Sequence, residues 1–448
     1  MVTVAPNRIL DALGQTLHPL TGARADYDPL LQLIGNARYV LLGEATHGTH
    51  EFYKARAEIT KRLIREKGFT VIAWEADWPD ALRVNRFIQG CGKDQTALES
   101  LGDFKRFPRW MWRNADILDM IGWLRAHNER LLAAAPKVGV YGLDLYSLYA
   151  SISAVIAYLD KADPVAAREA RRRYGCFEDF ADDPQSYGLT AGFHRSLSCE
   201  KEVVEQLQEL RSKTAELLSR DGRLAADELF YAEQNAVVAK EAEHYYRAMY
   251  RGRPNTWNLR DTHMVDTLDR LIEHLEKAGE RPKAIVWAHN SHLGDARATG
   301  MHERGELNVG QLVRERHGAE AILVGFTTYT GTVTAASDWD MPAERKHVRP
   351  GLDGSCEQLF HGFELPAFLL PLAEAKKKAR GLSYDLLERA IGVIYKPGTE
   401  RWSHYFFARI TSQFDAVIHF DETRAVEPLE RTPEWETAEI PETYPYAL

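Results

Sequence analysis

The chain has 448 residues, 45% of them hydrophobic, which is enough to bury a sizeable core and to divide into a main domain and one addition. Its 56 basic and 65 acidic residues give a formal net charge of -9, so no global positive field draws it to nucleic acid or to an anionic membrane. Cys91, Cys176, Cys199 and Cys356 stand far apart without a Cys-x-x-Cys, which argues against a disulfide framework or a thiolate zinc site.

The first ten residues lack the basic segment and apolar core of a secretory signal, and stretches such as Ala367 to Leu372 are too short to span a bilayer. The expectation is a cytoplasmic protein. Three β-rich runs follow, Tyr39 to Leu42, Thr70 to Trp74 and Lys137 to Gly142, separated by amphipathic stretches such as Phe52 to Lys67 and Ala115 to Leu132. That alternation predicts an α/β fold with a central, mostly parallel sheet flanked by helices. Glu44, Glu75 and Asp144, just after the runs, then share one sheet edge, where such folds bind ligands.

From Ser151 to about His274 the texture becomes charged and rich in Ala and Leu, as in Cys199 to Ser219 and Ala225 to Tyr250, and predicts a helical insertion. Strand patterns resume at Lys283 to Ala288, Ala321 to Thr327, Ala390 to Tyr395 and Asp415 to Phe420. The Gly- and Asp-rich stretch between Gly325 and Gly354 reads as a mobile surface segment. The expected divisions are 1–150, first half of the core with Glu44, His47 and Glu75; 151–275, helical insertion or cleft wall; and 276–448, second half with His289 and His292.

Several common chemistries have no motif here: there is no Gly-x-Ser-x-Gly elbow, phosphate loop, dinucleotide turn or His-Glu-x-x-His. What remains is carboxylates and imidazoles at strand ends: Glu44, His47, Glu75, Asp77, Asp144, His289 and His292. A histidine can take a proton from water, and a neighbouring carboxylate fixes its tautomer, so Glu44 is placed to orient His47. Arg56 and Arg260 are candidates to meet negative charge on a carbonyl oxygen, or to pair with a strand-end carboxylate. His50, His263 and His302 read as ordinary polar residues, and Trp74, Trp78, Trp110, Trp112 and Trp123 as a mixture of core and cleft wall. No cofactor is expected, although His289-x-x-His292 with Glu44, His47 or Glu75 keeps a zinc-like metal open.

In Gly43-Glu44-Ala45-Thr46-His47-Gly48, Glu51-Phe52-x-x-x-Arg56, Trp74-Glu75-Ala76-Asp77 and Ala288-His289-Asn290-Ser291-His292, the chain resembles the erythromycin esterase family, which opens the lactone of 14-membered macrolide antibiotics. The likeness covers nearly the whole chain in the same order. Arg401 to Phe406 and Phe414 to Ile418 also resemble many uncharacterised members. The resemblance implies that His47 is a general base acting on water without a covalent acyl-enzyme, within a polar site of Glu44, Arg56, Glu75, His289 and His292. The expected substrate contacts are His292, Arg260, Trp74 and Asp77, and the expected partner is a small-molecule macrolide or other ester, with no metal in the preferred mechanism; the alternatives are a hydrolase of another ester or lactone, or a metal- or haem-binding protein that uses the same edge without turnover.

Overall fold

A computed structural model describes residue 13 and residues 16–132, 135–180, 183–213, 223–251, 255–279, 281–378 and 385–437. The first ten residues, expected to hold no secretory signal, and 214–219, expected to be helical, lie outside the described residues. The strands are β1 (His18–Pro19), β2 (Tyr39–Leu42), β3 (Val71–Asp77), β4 (Gly139–Asp144), β5 (Ala284–Trp287), β6 (Ala321–Ala335), β7 (Glu344–Val348), β8 (Ala367–Pro371), β9 (Leu386–Arg389), β10 (Tyr405–Ala408) and β11 (Ala416–Thr423). Two compact units contain them, one formed by 1–72, 86–139 and 283–448, the other by 73–85 and 140–282.

In the first unit the sheet order is β1-β8-β11-β6-β2-β5, with β7 paired to β6. The central pairs β11–β6, β6–β2 and β2–β5 are parallel, and β1, β7 and β8 join antiparallel. Every residue of β2 and β5 is buried, as a parallel strand covered on both faces requires. Leu42 pairs with Trp287, so the turns after these two strands leave the same edge of the sheet. The helix His50–Lys67 buries Phe52, Tyr53, Arg56, Ile59, Thr60 and Leu63, a stripe at helical spacing, and stops at Gly68, whose φ of 70° suits glycine. Asn114 caps the helix Ala115–Glu129 by accepting from the Ile117 N–H at 2.9 Å.

The second unit holds most of β3 and β4, which are neighbours, and the helices Leu148–Ala162, Pro164–Tyr174, Pro184–Phe193, Glu200–Ser212, Arg223–Ala248 and Asn255–Lys277. Small residues let its helices approach: Ala236, Ala239 and Ala242 are fully buried, and a Cβ at Gly188 would stand 2.3 Å from the Tyr246 carbonyl oxygen. The insertion is therefore a packed bundle with its own core of Val155, Leu159, Phe177, Tyr187, Val203 and Leu210.

Three expectations change. Ala390 to Tyr395 is not a strand; it pairs only at single bridges, Ile391 with Thr46 and Ile394 with Ala336. Its backbone is divided between two partners, since the Ile391 N–H donates to Ala45 O at 2.8 Å and the Ala336 N–H donates to Val393 O at 2.9 Å. The stretch from Gly325 is no mobile loop either, because β6 runs on to Ala335 through a Thr- and Val-rich run and returns as β7. Val333, Ala335 and Val348 pack with Ile391 and Tyr395 in a small core. Finally, Cys176 and Cys199, 23 residues apart, form a disulfide, because the connections between helices in the bundle bring their Cα atoms to 6.1 Å.

Candidate active site

The turn after β2 delivers Glu44, 1% exposed, and His47, 7% exposed. Backbone bonds hold the turn from three sides: the Asn290 N–H donates to Glu44 O at 2.8 Å, the His47 N–H to Ile391 O at 3.3 Å, and the Val426 N–H to Gly48 O at 2.8 Å. Thr46 and Thr49 share a short hydroxyl contact within it. Glu51, next in the sequence, anchors a neighbouring loop by accepting from the Arg424 N–H at 2.7 Å, and His50 bonds Asp116 at 2.9 Å.

Glu44 Oε1 accepts from His47 Nδ1 at 2.9 Å, and Glu44 Oε2 accepts from Arg56 Nη2. A carboxylate can only accept, so the proton of neutral His47 sits on Nδ1 and Nε2 keeps its lone pair. Arg56 is fully buried, its guanidinium 4.6 Å from the Tyr53 ring centre and 4.7 Å from that of Trp287. The sequence left Arg56 a choice between a carbonyl oxygen and a carboxylate, and the fold gives it the carboxylate. Burial, followed by the charge of Glu44, pushes the Tyr53 phenol well above its ordinary range, so Tyr53 stays neutral and donates to Met111 O at 2.8 Å.

The turn after β5 brings His289, 4% exposed, so that its ring centre lies 4.9 Å from that of His47. His289 Nδ1 accepts from the Ser291 N–H at 3.2 Å, which places its proton on Nε2, facing Ala45 O at 3.1 Å. His292 is buried on the same short helix, Asn290–Leu293, and its N–H donates to His289 O at 2.9 Å.

In the second unit Arg260 gathers the strand-end acids. It donates from Nη2 to Glu75 at 2.7 Å and to Asp144 at 2.6 Å, from Nε to Asp144 at 3.0 Å, and lies 4.9 Å from the Tyr146 ring centre. Burial alone would lower the Arg260 pKa, but Asp144, Tyr146 and Glu75 outweigh it and raise it well above the ordinary value. Asp77 is buried at 5% exposure. Trp74 and Trp78 are core residues, as are Trp110 and Trp112 in the first unit, while Trp123 is half-buried under Lys61 and Arg65.

The fold thus joins Glu44, His47, Arg56 and His289 in one unit and Glu75, Asp144 and Arg260 in the other. Among the described residues no group of three or more His, Cys, Asp or Glu is disposed to hold a metal ion. Asp144 was noted at its strand end but not advanced as a site residue, although it is the firmest partner of Arg260. Asn290 lies inside the Ala288–His292 motif, and Glu388, whose Oε1 accepts from Asn290 Nδ2 at 3.3 Å, carries no local sequence signal that links it to the site.

A family model described as erythromycin esterase matches residues 64–423. The chain belongs to the erythromycin esterase family. Among curated proteins it is 23% identical over 327 residues to the erythromycin esterase type II of Escherichia coli, covering 69% of this chain and 73% of that one. It is 22% identical over 423 residues to the putative hydrolase YbfO of Bacillus subtilis strain 168, covering 90% and 88%. Among solved structures it is similar to a Bacillus cereus protein at a TM-score of 0.78 and 20% identity, covering 95% of this chain and 100% of that one. A mutant of the erythromycin esterase EreC in its open conformation gives a TM-score of 0.67 at 17% identity, covering 92% and 96%. The erythromycin esterase fold, a central, mostly parallel sheet flanked by helices, and a hydrolase of esterase type follow from this membership. No helix of the described residues is long and apolar enough to cross a membrane.

Proposed function

We propose that this protein hydrolyses the macrolactone ester of 14-membered macrolides, as its erythromycin esterase relatives are named for, with His47 as general base. The observation that carries the proposal is the Glu44–His47 pair: a buried carboxylate bonded to Nδ1 leaves Nε2 to accept a proton from water. The hydroxide so formed attacks the ester carbonyl carbon, and the tetrahedral intermediate breaks its bond to the ring oxygen. The proton held on His47 Nε2 passes to that departing oxygen. The products are a carboxylic acid and an alcohol within one opened chain, and His47 returns to its starting state.

Arg56 keeps a fixed positive charge against Glu44, and the Nε2–H of His289, which rests on Ala45 O at 3.1 Å, is the nearby donor that comes to be shared with the oxyanion as it develops. No step is given to Glu75, Asp77, Trp74, His292 or Arg260, and no metal or cofactor is needed. A cytoplasmic role in macrolide resistance is part of the same proposal.

Purified protein is incubated with 14- and 16-membered macrolides and simple lactones, and the products are weighed by mass spectrometry. A gain of one water on a 14-membered macrolide is expected, with His47→Ala slower by at least about a hundredfold. A gain confined to other lactones would move the substrate, and near-normal turnover by His47→Ala would remove the base.

A further inference from the structure

Asn290 is fully buried at the first position of the short helix after β5, and every polar group it carries is used. Its backbone N–H donates to Glu44 O at 2.8 Å. Its Nδ2 donates to Phe326 O at 2.8 Å and to Glu388 Oε1 at 3.3 Å, and its Oδ1 accepts from the Phe326 N–H at 3.3 Å. Because β2 lies between β5 and β6, the carboxamide crosses the end of β2 and pairs with both peptide groups of Phe326, as a strand residue would.

The crossing is possible only because of what lies beneath it. A Cβ on Gly43 would stand 2.2 Å from Asn290 Oδ1 and 3.1 Å from Val324 O, so any side chain there would displace the carboxamide. Gly43 in turn continues the ladder by donating its N–H to Val324 O at 2.8 Å. Glu44 is thereby gripped at its carbonyl by Asn290 and at the preceding residue by β6. Its carboxylate, three bonds out from the Cα of that fixed backbone, is what places the proton on His47 Nδ1.

We propose that Asn290, passing over Gly43, is a positioning residue for the Glu44–His47 base. It does not touch the reacting atoms; its carboxamide ties it to Phe326 of β6, and so holds in place the backbone N–H that grips Glu44 O and keeps His47 in the tautomer with Nε2 open. This rests on His47 being the base, and the test separates the two claims.

The test reads the imidazole tautomer of His47 by nitrogen-15 NMR, with the resonance identified by its loss in His47→Ala, beside kcat and KM on whichever ester the wild type cleaves. Asn290→Ala is expected to turn a single Nδ1–H form into a mixture and to lower kcat at least tenfold, with KM within about threefold. Asn290→Asp, of the same shape but without the Nδ2 donors, is read in its place if the alanine variant does not fold, and the same tautomer change is expected. Gly43→Ala should be severe alone and milder in the Asn290→Ala background, where the 2.2 Å clash is gone and only the 3.1 Å approach to Val324 O is left. An unchanged tautomer and kcat in the Asn290 variant, or strictly additive effects of the two substitutions, would overturn the positioning role. Turnover surviving in His47→Ala would instead overturn the base, whatever the tautomer of the Asn290 variant.

Discussion

At the scale of single residues, Arg56 shows how much of the site is electrostatic support. It is fully exposed to no solvent, bonds Glu44 through Nη2, and has no geometric partner for Nε or Nη1 among the described residues; the faces of Tyr53 and Trp287 take their place. Removing one member of a buried ion pair leaves the other as an unpaired charge, which costs about 3–5 kcal/mol. Arg56→Met is therefore expected to lower the unfolding free energy by about that amount in urea. Adding Glu44→Gln to it should restore part of the loss, because the orphaned charge goes too. A single-variant loss below about 1 kcal/mol, the level of an exposed pair, would show that Glu44 finds another counter-charge. Nothing in the nine-residue spacing from His47 to Arg56 could reveal this, since the same spacing serves an arginine aimed at substrate.

At the scale of elements, the strand ends were legible and their crossings were not. Tyr39–Leu42 and Ala284–Trp287 are short, wholly apolar and followed at once by Glu44 and His289, so periodicity alone predicts a polar edge. Ile391 was read within a strand because Ala390 to Tyr395 is apolar, yet its N–H and C=O both serve the turn that carries His47. A bridge between segments hundreds of residues apart leaves no local pattern. The same is true of Gly48, which packs on β6 so closely that a Cβ would stand 1.9 Å from Thr334 O. The Cβ position is fixed by the Gly48 backbone and the atom it meets is a backbone oxygen, so no rotamer relieves the clash. Gly48→Ala is expected to destabilise the protein by about 3 kcal/mol, the upper part of the usual overpacking range, and to reduce turnover because His47 is its neighbour. Chemical denaturation with an activity assay checks this, and a variant of wild-type stability would show that β6 does not bear on the turn.

At the scale of the first unit as a whole, buried groups with oppositely directed pKa shifts shape its response to pH: Glu388, Glu357 and Glu400 are raised, and His404 and His419 are lowered. Burial, reinforced by the charge of Glu357, raises the Glu388 pKa from 4.5 to about 8, while burial lowers that of His404 from 6.5 to about 4. For Glu388 the folded chain keeps a proton that the unfolded chain has released, so stability falls as pH rises from 4.5 to about 8 and is level beyond. For His404 the unfolded chain takes up a proton that the folded chain refuses, so stability falls as pH drops from 6.5 to about 4. Each slope is at most about 1.4 kcal/mol per pH unit, and the two oppose one another where they overlap. Above the ordinary histidine range the slope of Glu388 acts in the same direction as those of the raised carboxyls Glu357 and Glu400, and there the wild type should lose stability steadily. Glu388→Gln removes the ionisable group and keeps an oxygen that can accept from Asn290 Nδ2. Urea denaturation of both proteins should therefore give unfolding free energies that diverge in favour of the variant as pH rises from about 5 to about 8, then run parallel. A difference that stays constant across that range would mean that Glu388 is ionised in the folded protein at every pH tested, with a counter-charge in the core to hold it.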